Sequence, residues 1–464
     1  MAADLAVVAL IYAIGLRLGT REDALRRTLL YAALFWPVAV AVGWYDALPA
    51  ALLLLGVYWL LRRRPAAAGF ASGLGFMTKV FPLVLVPVAV KFLPRWRERA
   101  LACATALAVT VAIAAPLLRL SPTYFLASYR ATLSRSAWET VWALLDGYYS
   151  YGKTPPLGVR FDPGTAGYVA YHSRVPGLPV ALAFVALYAV LWLRPVAPTP
   201  RNLTLFSGIS TVLFLLYSKG YSPQFIIYIL PFVALLLPWP RAVGYAALLS
   251  VVNLLEWPIY HEWLGEVHWV LGAVVIARTL LWLAAGWEWL AELWGLRDPL
   301  RRLPRRTLPV AAVVALVLAC PASVVAWRTW ERAYYNGEEL RPAFDFVRRY
   351  DAGPAPALVF TDDGLYQRFY PFFGARGDFY LFRPQDADGI VLKEPRLSPE
   401  GRRDLLDTLS RSHQQVFLVR KIDDWTSRDL NAWLADHAHL ATSLRVESVD
   451  ISLWEVPPQG PRAP

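Results

Sequence analysis

Residues 43–90 read GWYDALPAALLLLGVYWLLRRRPAAAGFASGLGFMTKVFPLVLVPVAV, and this stretch decides the class of the chain. From Ala47 to Leu61 no side chain is charged. Arg62, Arg63 and Arg64 follow, and the chain is then apolar again to Val90, apart from Lys79. A helix that is apolar on every side needs protein or lipid around it. Two such runs joined by a short arginine turn read as a membrane hairpin with the turn on the cytoplasmic face.

The rest of the sequence agrees. Of 464 residues 57% are apolar and only 17% charged, with a mean hydropathy of +0.39. Soluble domains carry roughly 25% charged residues, so a soluble enzyme, a coiled coil and a disordered chain are excluded. Spanning segments of about 20 apolar residues, or shorter where broken, are predicted at 2–18, 28–43, 47–61, 66–78, 80–90, 101–117, 176–194, 203–217, 222–238, 242–257, 267–286 and 308–326. The expected fold is mostly α: a polytopic bundle of about 11–12 spans over 1–326, with a small extracytoplasmic α/β domain over 327–464. The runs at 66–78 and 80–90 are either half-helices meeting at Lys79 or one kinked helix.

Residues 1–326 hold 28 basic and 14 acidic groups, whereas 327–464 hold 18 and 21. The basic clusters around Arg17–Arg27, Arg62–Arg64, Lys91–Arg99, Arg194–Arg201, Arg241 and Arg297–Arg306 alternate with the spans, which places those loops in the cytoplasm. The tail and Met1 are then both outside, in an inner or plasma membrane. A start on the outer side, directly at a helix, leads us to expect that an upstream helix and loop have been lost. No basic stripe is interleaved with aromatics, so nucleic acid is not an expected partner. Cys103 and Cys320 lie in apolar segments and cannot form a metal cluster.

Candidate site residues collect in the outer loops. Asp46 sits in a tight turn at a membrane edge, where a carboxylate is costly unless paired or solvated. It also fits a helix N-cap, and the two roles are compatible. Lys79 is a lone cation in an apolar run beside Pro82. It reads as a phosphate ligand in a polar cavity or as a snorkelling side chain. The loop 118–175 contains Arg130, Arg135 and Glu139 at helical spacing, so Arg135 and Glu139 fit an i, i+4 pair. Arginine also clamps phosphate with two bonds, and both readings stay open. Lys219, Tyr221, Ser222 and Gln224 converge in a second turn and suit sugar hydroxyls or phosphate. His261 beside Glu262 forms a third constellation, for which a structural role is the alternative. The sequon at Asn202 falls on the cytoplasmic edge, and Gly73-Leu-Gly75 lacks the strand and loop of a phosphate cradle.

From about residue 338 the pattern becomes soluble. Helices are predicted at 338–350, 398–410 and 426–435, strands at 356–361 and 414–420, and a strand or hairpin at 444–456. Asp362 and Asp363 read as a turn or a carboxylate pair.

The outer Trp44-Tyr45-Asp46-Ala-Leu-Pro49 motif, the arginine turn and the run through Thr78-Lys79-Val-Phe-Pro82 resemble the GT-C superfamily of integral-membrane glycosyltransferases. Ser218-Lys219-Gly-Tyr-Ser-Pro-Gln-Phe225 resembles a second motif of the branch that uses polyprenyl-phosphate-mannose. Tyr129 to Thr140 resembles that branch's Tyr/Arg/Glu-Ser loop, with Thr140 where Ser is usual. The resemblance covers about 1–260. It implies inverting transfer of a hexose, mannose-like, from a polyprenyl-phosphate donor to a glycolipid, glycan or protein acceptor outside the cytoplasm. It implies Asp46 as a motif acid, with Lys79, Arg135 and Lys219 at positions suited to the phosphate. Together with the outer-loop reading, the expected site has Asp46 and Glu139 as catalytic carboxylates and Tyr45, Lys79, Arg130, Arg135, Lys219, Tyr221, Ser222, Gln224 and His261 binding substrate. The family's main base lies in an outer loop after its first helix, which the expected upstream segment would carry. No metal ligand is assigned. Some GT-C members use a divalent metal and others do not, so the cofactor stays open. The competing classes are a lipid or sugar transporter or flippase, and a non-catalytic membrane scaffold with a periplasmic binding domain.

Overall fold

The computed structural model describes residues 2–34, 45–149, 173–264, 267–297, 340–350, 357–360, 365, 369, 378–381, 415–421, 428–446 and 449–456. The expected span 308–326, the expected helix 398–410, most of 28–43 and the pair Asp362–Asp363 lie outside these residues.

In chain order the helices are α1 (Ala2–Leu18), α2 (Arg21–Ala32), α3 (Ala47–Leu61), α4 (Pro65–Thr78), α5 (Leu85–Phe92), α6 (Trp96–Leu120), α7 (Pro122–Ser134), α8 (Val141–Asp146), α9 (Gly177–Leu193), α10 (Pro200–Tyr217), α11 (Leu230–Leu236), α12 (Trp239–Leu254) and α13 (His268–Trp294). The described residues sort into two compact units. One comprises Met1–Pro122, Ser136–Gly152 and His172–Ala326; the other takes Thr123–Arg135 and the C-terminal residues from Trp327.

Among the described residues three helical segments, Trp96–Leu120, Trp239–His261 and His268–Trp294, are long and apolar enough to cross a bilayer; Ala47–Leu61, Phe81–Phe92, Gly177–Leu193 and Pro223–Leu236 are shorter apolar helices. At 1.5 Å per residue, α6 reaches about 38 Å, more than the ~30 Å hydrocarbon core. Helices α6, α9 and α13 turn leucines, valines and tryptophans outward: Leu107, Leu178, Val185, Leu193, Trp269 and Leu280 are all largely exposed. So much outward apolar surface needs lipid around it. The chain is a helical membrane bundle.

Local signals explain the element ends. Thr20, Thr140 and Thr199 cap α2, α8 and α10 by accepting from the main-chain N–H groups of Asp23, Ala143 and Asn202, each satisfying one open donor. Asn202, the sequon residue, donates its side-chain amide to the Ala197 carbonyl at 3.0 Å. The alternative at 66–90 resolves as two helices: α4 ends at Thr78, Lys79 is extended, and a 3-10 turn over Phe81–Val84 leads into α5. Pro82 cannot donate to the preceding turn, and its carbonyl accepts from Ser72 Oγ at 3.2 Å.

The glycines of the 69–75 stretch serve packing. A Cβ at Gly69 or Gly73 would overlap the carbonyl oxygen of Ala102 or Ala106, so α4 and α6 meet backbone to backbone along a small-xxx-small face. Gly73→Leu is therefore expected to lower the unfolding midpoint in detergent by about 3–4 °C, through ~2–3 kcal/mol of overpacking. Phe70→Leu, on the exposed face of the same helix, is expected to shift it by no more than about 1 °C, and equal shifts would refute this packing.

The C-terminal unit adds α14 (Arg341–Tyr350), β1 (Ala357–Phe360), β2 (Asp378–Leu381), β3 (Gln415–Lys421), α15 (Arg428–His437), β4 (His439–Val446) and β5 (Val449–Glu455). Its five strands run in the order β2-β1-β3-β5-β4. The β1–β2 and β1–β3 pairs are parallel, with Ala357 opposite both Asp378 and Val416; β5 is antiparallel to β3 and β4. Strand β1 is buried along its whole length, as a parallel strand covered on both faces must be. Leu358, Phe360, Phe417 and Ile451 pack with Phe344, Val347 and Phe369 on one face, and Val359, Val416 and Leu418 pack with Leu434 on the other. The small α/β domain is thus present. Its order of helix, strand, strand, helix and hairpin follows the expectation from 338 onward, and β2 is the strand that expectation lacks.

Candidate functional site

Asp46 immediately precedes α3 and is 1% exposed. It is the N-cap position by sequence, yet its side chain makes no cap bond. Lys79 Nζ and the Tyr228 hydroxyl instead both donate to Asp46 Oδ1. The ammonium also sits 3.8 Å from the Phe225 ring centroid and 5.5 Å from that of Tyr45. A cation between a carboxylate and aromatic faces is stabilised twice over, which offsets the desolvation of a buried ion pair. The break after Thr78 makes this arrangement possible, because a continuous helix would carry position 79 around its own axis. Phe81 packs on Tyr228 at 3.9 Å between centroids and closes the floor.

Tyr228 and Phe225 belong to a 3-10 segment, Pro223–Tyr228, that follows the turn at 218–222. That turn is held by the strap 136–142. The Trp138 N–H donates to the Lys219 carbonyl at 3.2 Å, and the Tyr221 N–H donates to the Trp138 carbonyl at 3.0 Å. Thr140 Oγ1 donates to the Lys219 carbonyl at 3.0 Å, Trp138 Nε1 to Ser222 Oγ at 3.1 Å and Trp142 Nε1 to the Leu216 carbonyl at 2.9 Å. Two of the resembling motifs are thus laced together. Lys219 enters this lacing through its carbonyl, Ser222 through its hydroxyl, and Gln224 lies half-buried in the first turn of the 3-10 segment.

A second buried cluster lies behind Tyr221. Arg278 in α13 donates to Glu256 Oε2 and to the main-chain carbonyl of Glu139, and its guanidinium carbon is 3.6 Å from the Tyr221 ring centroid. Glu139 Oε1 is 2.8 Å from His261 Nε2. Glu139 and Glu256 are both fully buried. An irregular turn over Leu255–Trp263, with Trp257 in extended geometry, lets Glu256 and His261 face this cluster. Tyr221 also donates its hydroxyl to Asn253 Oδ1 at 3.0 Å. The aromatic series Tyr221, Phe225 and Tyr228, at 5.6 and 5.5 Å between successive centroids, joins the two clusters.

The structure therefore brings Tyr45, Asp46 and Lys79 together, joins them to Tyr221 through the aromatic series, and places Glu139 against His261. Helix α7 ends at Ser134, and Glu139 has φ 52, so the helical spacing expected for Arg130, Arg135 and Glu139 is not realised. Arg130 lies in α7 and Arg135 just after it, and both group with the other unit. Glu256 and Arg278 went unmarked in the sequence reading. A charge inside an apolar span was the available signal, the same one that marked Lys79.

Two further features border the site. An apolar cavity of about 510 Å³ opens between α9, α10 and the 3-10 turn with α5, lined by Val84, Ala181, Val185, Tyr188, Leu213 and Phe214 among others. Phe214 lies 6.2 Å from Phe81, the floor of the Asp46 cluster. At the far end of α11, Arg27 donates to the Ala234 and Leu237 carbonyls at 2.5 and 3.0 Å. Arg201 donates to those of Leu235 and Leu236 and to Glu292. Arginines are the natural partners of the last open carbonyls of a helix, so these topology-marking residues also fix the segment carrying Tyr228. At the end of α8, Asp146 accepts from Ser173 Oγ and the Arg174 N–H. Burial and that carboxylate hold the Tyr148 phenol above its ordinary value, which keeps it a donor.

Among the described residues no three His, Cys, Asp or Glu side chains converge as a metal site. Among curated proteins and solved structures, none matches the chain. Its first 218 residues, which contain Asp46, Lys79 and the strap, match the sequence model of glycosyltransferase family 87, and that match indicates a glycosyltransferase built on membrane helices.

Proposed function

We propose that the protein moves a hexose, mannose-like, from a polyprenyl-phosphate donor to an extracytoplasmic acceptor, with inversion at the anomeric carbon. The acceptor is a glycolipid, glycan or protein. The protein is then a multi-pass enzyme of an inner or plasma membrane, with residues 1–326 as the catalytic domain and the α/β domain of 327–464 outside the cytoplasm. The observation that carries this reading is the buried Asp46–Lys79 pair beside an apolar cavity suited to an isoprenoid chain.

In the proposed reaction the donor phosphate competes with Asp46 for the Lys79 ammonium. The carboxylate so released takes the proton of the acceptor hydroxyl. The acceptor oxygen bonds to the anomeric carbon as the bond from that carbon to the phosphate oxygen breaks, and polyprenyl phosphate leaves with both electrons. Lys79 stabilises the leaving charge in a site of low dielectric. Lys219 is a further cation for that phosphate. Tyr45, Tyr221, Ser222, Gln224 and His261 are proposed to orient sugar or acceptor. Glu139 is proposed as the second carboxylate of the site.

Purified protein in proteoliposomes, given a labelled polyprenyl-phosphate hexose, should move label to acceptor, and no transfer with any such donor would sink the proposal. Ala181→Trp, which fills the cavity, is expected to raise KM about tenfold, ~1.4 kcal/mol, for a long-chain donor. A short-chain donor of the same head group should be unaffected, and equal effects on both would show that the chain binds elsewhere.

A further inference from the structure

We propose that Arg278 is the positioning residue of this site and Glu256 its anchor, an inference that rests on the proposed sugar transfer. Arg278 is 2% exposed and held at both ends, so it does not touch substrate. Its guanidinium instead fixes two segments at once. One nitrogen reaches the Glu139 carbonyl in the strap, while the flat face lies 3.6 Å from the ring centroid of Tyr221 in the turn.

The strap needs such a hold. Glu139 has φ 52°, a left-handed backbone that strains a residue with a side chain and persists only where the surroundings enforce it. Three contacts enforce it here: Arg278 on the carbonyl, His261 on the carboxylate, and the ladder from Trp138 to Lys219 and Tyr221. The turn then passes its position along Tyr221 and Phe225 to Tyr228, whose hydroxyl holds Asp46. The position of the candidate base relative to Lys79 thus depends on a residue of α13 that never contacts it. Glu256 aims the guanidinium and neutralises it. Lysine cannot replace this device, because one ammonium lacks the planar fork that serves two acceptors while stacking on a ring.

The test compares full-length native protein with Arg278→Lys and Glu256→Gln in detergent, by amide hydrogen exchange. Glu256→Gln is isosteric and still accepts a hydrogen bond, so it reads the same coupling if Arg278→Lys fails to fold. Exchange across 136–142 and 217–222 is expected to quicken at least tenfold, with α4 and α6 unchanged. In the transfer assay kcat should fall about 10–100-fold while donor KM stays within threefold. Native exchange rates in both segments, acceleration spread equally into α4 and α6, or a rise in KM with kcat unchanged would each overturn the inference. The exchange arm uses no substrate. A native protein that transfers no sugar would therefore sink the proposed function while leaving the positioning result readable.

Discussion

Asp46→Asn is expected to lower kcat for sugar transfer by about 10²–10⁴-fold, the usual contribution of a positioned general base, and to lower donor KM, because the phosphate no longer competes with a carboxylate for Lys79. The substitution keeps the shape of the side chain and removes its charge, so Lys79 and the Tyr228 hydroxyl still meet an acceptor at that position. The loss of a buried countercharge also destabilises the fold, and a fall in rate alone would not separate the two causes. Asp46→Asn combined with Lys79→Met separates them. Removing both charges is expected to restore most of the thermal stability, because no ammonium is left facing an amide, whereas transfer stays lost. Rates measured in proteoliposomes, with unfolding midpoints of the same preparations, decide the matter. A single variant within about threefold of the native rate would falsify Asp46 as the base.

Much of the architecture was legible because lipid-facing helices announce themselves by composition. The runs at 2–18 and 47–61 are α1 and α3 residue for residue. The break at Lys79 was readable from a lone cation beside Pro82, and the soluble unit from its change to amphipathic patterning. The strap was not. Spacing alone suggested that Arg135 and Glu139 share a helix face, but nothing local says that α7 ends at Ser134, since the backbone of Glu139 is set by Arg278, 139 positions away. Tyr228 likewise meets Asp46 across 182 positions and looks in the sequence like one more aromatic in an apolar run. Arg278 and Glu256 were hidden for a different reason. Each is a single charge diluted by a long apolar helix, so window averages erased the feature that makes them costly, and therefore informative.

That cost sets the size of the second large effect. Arg278→Met is expected to destabilise the bundle by about 3–5 kcal/mol, because it leaves the Glu256 carboxylate buried without its partner. In a bundle of this size the unfolding midpoint in detergent should drop by roughly 4–7 °C. Glu256→Met together with Arg278→Met should recover most of that loss, since a buried pair exchanged for packed apolar side chains is often neutral or better. The double variant still lacks the guanidinium on the Glu139 carbonyl and over Tyr221, so kcat should remain low in a protein that is again stable. Recovery of both stability and rate would mean that the pair only neutralises itself. Recovery of stability without rate would mean that the bundle carries a buried ion pair in order to hold its strap, and through it Asp46, in place.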